Sequence, residues 1–155
     1  MKTSITIILL ALIFNNAFSH GLTLPYYTGF DNPAQRAGWV QYRTGFLSSY
    51  SLSNINNLSH DYNVGGSSND TVVDWYVSPA LNFTASAQIS MKIFTGGFSN
   101  PIPDNCDIWF GTNNPNPTTG NFVLIGSLSY MQPKYVWLDT IINVPFTAAS
   151  GYIAF

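Results

Sequence analysis

The chain has 155 residues and a formal net charge of −2. Charged residues make up 8% of it, against roughly 25% in ordinary soluble domains. This excludes a basic field that would hold nucleic acid or an anionic membrane surface, and leaves Asn, Ser, Thr and Tyr to supply the polar surface.

The first residues read as a targeting segment. Lys2 gives a positive start, the run from Ile5 to Phe14 is apolar, and Ala17-Phe18-Ser19 sets small residues around a cleavage point before His20. The apolar run is too short for a helix across a bilayer core of roughly 30 Å. We therefore expect a signal peptide over 1–19, a mature domain over 20–155, and a protein that is secreted or held at the cell surface. No second long apolar segment follows, so no transmembrane segment is expected in the mature chain. Cys106 is the single cysteine. It has no partner for an internal disulfide and reads as a small buried side chain on a strand.

In chain order, Leu24 to Asp31 reads as a short edge strand entered through Pro25. The stretch from Gly38 to Thr44 alternates, with Trp39 and Arg43 on one face and Val40 and Tyr42 on the other. From Asp74 to Phe83 a strand carries Trp75 and Val77 on one face and Tyr76 on the other, then meets Pro79, which has no N–H for a ladder. Asp74 reads as a strand-start residue that bonds nearby backbone.

Gln88 to Thr95 alternates strictly, with Ile89, Met91 and Ile93 on one side. Cys106, Ile108 and Phe110 point inward on the next strand, which turns Trp109 outward. Asn113 to Gly120 is a turn by composition. Phe122 to Leu128 and Lys134 to Val144 read as two more strands. Thr147 to Ser150 reads as a connection, and Gly151 to Phe155 as the start of a last strand. The whole predicts an all-β, antiparallel β-sandwich. The chain stops inside an apolar run, so we expect it to be truncated at its C-terminus, with the last strands missing.

Four segments, in order, resemble the secreted bacterial jelly-roll modules known as cleaved adhesin or choice-of-anchor J domains, which are related in fold to MAM and carbohydrate-binding modules. They are Tyr26 to Asp31 with Gly38-Trp39; Asp74-Trp75-Tyr76-Val77-Ser78-Pro79-Ala80-Leu81; Asp107 to Thr112 with Phe122 to Gly126; and Gly151-Tyr152-Ile153-Ala154-Phe155. The family usually places an Arg and an acidic strand after that last Phe, and both are absent here. The resemblance implies a jelly roll and a structural calcium near the first strand, with Asp31 as one ligand. Calcium takes about six to eight oxygen ligands, and a solvated turn carboxylate is the alternative reading of Asp31.

For function, we expect a non-catalytic binding or adhesion module that recognises a glycan or an extracellular protein surface. The alternative is a structural accessory domain of a secreted peptidase or other hydrolase. A sugar site needs aromatic rings to stack on pyranose faces and amides or carboxylates to fix hydroxyls. Trp109 and Tyr76 are the expected rings, and Asn113 and Asp104 the expected polar groups. Trp75, Tyr50 and Tyr62 are further candidate rings, most of which should be core. An enzyme is not expected. The aspartates show no suggestive pairing for a glycosidase, and no nucleophile, zinc or phosphate-loop motif occurs.

Overall fold

The computed structural model describes residues 21–30, 32–45, 72–94, 105–129 and 136–155. Those residues form eight β-strands and no helix: β1 (Val40–Gly45), β2 (Val72–Val77), β3 (Leu81–Phe83), β4 (Ala87–Phe94), β5 (Asn105–Thr112), β6 (Asn121–Ser129), β7 (Trp137–Val144) and β8 (Ala148–Ala154). The larger sheet runs β1-β2-β8-β5-β6, with β3 also paired to β8, and the smaller is the two-stranded antiparallel pair β4-β7. All strand pairs are antiparallel.

The two sheets meet through one core. Leu81, Phe83, Ile108, Phe110 and Ile153 come from the larger sheet and Val144 from the smaller, with Ile89, Met91 and Ile142 packed against them. Alternation explains this layering: Ile89 stands opposite Ile142, so the inward residues of both strands fall on one face. The opposite face of the pair carries Gln88–Asn143 and Lys92–Asp139. Gln88 Nε2 donates to Asn143 Oδ1 at 2.9 Å, and Lys92 Nζ lies 2.9 Å from Asp139. No helix among the described residues is long and apolar enough to cross a membrane.

Pro79 breaks β2 as its chemistry requires, and Ser78 repairs the break. The Ser78 amide donates to the Ile153 carbonyl at 2.8 Å, while its hydroxyl accepts from the Ile153 amide at 2.9 Å. β8 thus continues past the point where β2 leaves the ladder.

Four expectations are corrected. Residues 24–30 form no strand; beyond a single bridge at Leu22, this stretch bonds to the following turn, with the Thr28 hydroxyl donating to the Gln35 carbonyl at 2.8 Å. Cys106 is exposed, not buried, because it lies near the start of β5, away from the cluster around Ile108 and Phe110. Asp74 lies within β2, opposite Arg43. Its side chain is 2% exposed, with Oδ1 3.8 Å from Arg43 Nε. Finally, β8 begins at Ala148, inside the stretch Thr147 to Ser150 expected as a connection, and lies between β2 and β5.

Candidate functional site: the outer aromatic face

Register fixes which side chains share the outer face of the larger sheet. Val40 is opposite Val77, Val77 opposite Ala154, Ala154 opposite Trp109, and Trp109 opposite Leu124. Directly paired residues point the same way, so these five form one row. Tyr42 and Trp75 lie two residues along, as a pair. Gly111, Tyr152 and Phe122 lie two residues along in the other direction, with Gly111 paired to both rings' positions. Ile108 and Phe110 point to the opposite side, into the core.

The face carries a packed aromatic group. The Trp75 and Trp109 rings are 5.3 Å apart and inclined at 53°, and Trp75 and Phe122 are 6.0 Å apart at 59°. All three rings are half-buried. Gly111 is what allows Phe122 to lie flat across β5: a Cβ at this position would stand 2.5 Å from two atoms of that ring. Around the group, Val40, Val73 and Leu124 are exposed at 42%, 41% and 47%. The face is therefore wet at its margins and apolar at its centre.

Sequence reasoning placed Trp109 outward, and it stands on this face. It missed Asp107, two residues earlier on β5 and so on the same side. The Asp107 carboxylate accepts a hydrogen bond from the Ser127 hydroxyl at 2.5 Å. The signal was present in the alternation Asp107-Ile108-Trp109-Phe110, which puts the acid and the indole on one side together.

The other expected site residues are not gathered there. Tyr76 is 1% exposed and points to the core side. Its ring is stacked on Trp39 at 5.1 Å and 9°, and meets Phe30 edge-on at 6.0 Å. Neither a sugar nor a peptide reaches that ring in this arrangement. Asn113 is exposed in the turn after β5 with φ of 69°, four residues from Trp109, or about 13 Å along an extended strand. The next residue organises the turn: Asn114 Oδ1 accepts from the Asn116 amide at 2.9 Å, and Asn114 Nδ2 donates to the Thr119 hydroxyl at 3.0 Å. Asp31, Asp104, Tyr50, Tyr62 and the segment 1–19 lie outside the described residues. Among the described residues no group of three or more His, Cys, Asp or Glu is placed to hold a metal ion.

Burial pushes the Tyr76 hydroxyl above the usual tyrosine value; the Arg36 guanidinium opposes this and the Tyr26 phenol adds to it. The sign of the consequence follows from proton linkage. Above the unfolded value of about 10, the unfolded chain releases the phenolic proton while the folded chain keeps it, so stability falls as pH rises. Urea midpoints measured from pH 8 upward are expected to decline beyond about pH 10, by at most about 1.4 kcal/mol per pH unit from this group. The slope should flatten in Tyr76→Phe. An unchanged slope in that variant would remove Tyr76 as the cause.

Compared with known protein families, curated proteins and solved structures, the chain matches none.

Proposed function

We propose that this chain is a secreted, non-catalytic binding module of jelly-roll type, and that it takes a glycan on the outer face of its larger sheet with Trp109 at the centre. The observation that carries this reading is the Trp75–Trp109–Phe122 group, three half-buried rings in mutual contact on the face of the larger sheet turned away from the core. Indole and phenyl rings present apolar surface to the C–H face of a pyranose, and a nearby carboxylate such as Asp107 accepts from sugar hydroxyls. The leader-like start and the four segments that resemble adhesin-type jelly rolls support the same reading, and with it an extracellular location. The calcium at Asp31 that this resemblance implies is part of the proposal, as a structural ion and not as part of the sugar site.

The test is a glycan array probed with the purified chain and with Trp109→Ala. The substitution should lower affinity about tenfold or more, as expected for an aromatic anchor at the centre of a contact, with an unchanged circular dichroism spectrum. Equal binding by the two proteins would refute the role of Trp109. A specific observation favours the structural accessory domain as a second reading: the rings are inclined to each other by more than 50° and pack mutually, as rings do that serve the fold. Absence of binding to every glycan and matrix protein tried would favour that reading.

A further inference from the structure

At one end of the sandwich, the turn from β3 to β4 and the turn from β7 to β8 enclose an open recess of about 490 Å3, within the usual range of about 300–1,000 Å3 for small-ligand sites. Its walls include Ser86, Gln88, Asn143, Val144, Phe146 and Thr147. We propose that this recess is a separate subsite for one neutral pyranose unit. It shares only its ligand class with the reading of the outer face and uses none of the same residues.

Three observations argue for that ligand. First, none of the residues lining the recess is charged, so a phosphate, carboxylate or ammonium group would find no counter-charge there. Second, Gln88 and Asn143 face each other across the ladder. The Gln88 NH2 is committed to the Asn143 carbonyl at 2.9 Å. With that bond made, the Gln88 carbonyl remains as an acceptor and the Asn143 NH2 as a donor. A hydroxyl both donates and accepts, so two neighbouring hydroxyls match such a pair, whereas a hydrocarbon would match neither the remaining acceptor nor the remaining donor. Third, the Phe146 ring lines the recess and is held in place by stacking on Phe110 at 5.3 Å and 18°. An aromatic ring supported by the core and a donor–acceptor pair lining the same recess supply the apolar and polar halves of sugar recognition.

The test is an NMR titration of the isotope-labelled full chain with the methyl glycosides of glucose, galactose, mannose and N-acetylglucosamine. At least one should shift the Asn143 side-chain NH2 signal and the backbone signals of residues 86–88 and 143–147. Gln88→Ala should weaken that binding about fivefold, the effect of losing one hydrogen-bonding group. Gln88 is exposed, so the variant keeps its fold. Trp109→Ala should leave these shifts unchanged. Shifts confined to the Trp75–Trp109 face would overturn this proposal while sustaining the earlier one; shifts confined to the recess would do the reverse. No shift at the recess with any of the four probes, or equal affinity in Gln88→Ala, would overturn it.

Discussion

Phe110→Ala is expected to cost about 3–5 kcal/mol of folding stability, the range for removing a buried aromatic ring. Phe110 is 3% exposed and stands at the meeting point of the core. Its ring meets Phe83 edge-on at 5.2 Å and Phe146 nearly parallel at 5.3 Å. Truncation opens a cavity that Phe83, held by the pairing of β3 with β8, has little freedom to fill. The same change removes the support behind Phe146, so sugar binding at the end recess should weaken along with stability. Denaturant unfolding followed by tryptophan fluorescence gives the first quantity. A loss below about 1 kcal/mol, the ordinary cost of a point substitution, would show that the core is not centred on this ring.

The second large effect comes from adding atoms. Gly151→Val should destabilise by about 3 kcal/mol or more, at or beyond the upper end for overpacking. Gly151 lies on β8 opposite Leu81 of β3 and Thr112 of β5. A Cβ built there would lie 2.8 Å from Phe110 Cε2 and 2.8 Å from Phe83 Cδ2. Both rings are buried, so neither is a loose end that swings away, and the three strands that β8 touches cannot separate without losing their ladders. Gly151→Ala should show a smaller loss, about 1–3 kcal/mol. Thermal melts of the two variants order the series. If the valine variant melts with the parent chain, the packing of β8 on these rings is wrong.

Much of the fold was legible because alternation is a local signal. Ile89 and Met91, or Ile108 and Phe110, declare a face within five residues, and the structure puts those faces in the core. The division of Trp75 and Val77 from Tyr76 was legible for the same reason. Alternation does not say which of two faces is covered, and here the reading of Tyr76 as a ligand ring parted from the structure. Tyr76 is enclosed by Trp39 and Phe30, whose approach depends on a turn over 32–38 that no periodicity describes. The strand expected from Leu24 failed because its hydroxyl and amide groups found partners in that turn. Cys106 has the right parity but lies near a strand end, where parity no longer implies cover. The end recess was illegible for a further reason: Gln88 and Asn143 are 55 positions apart and meet only through the register of β4 with β7.

The place of β8 bears on how this molecule comes to be assembled. Among the described residues it is the strand that joins β2 to β5, yet it follows both in chain order. During synthesis the two parts of the larger sheet must wait, each with one edge unsatisfied, until residues 148–154 emerge and close long loops at once. Contacts so distant in sequence make for slow maturation and a prolonged exposure to edge-to-edge association. Docking of β8 is therefore the step that removes those two open edges.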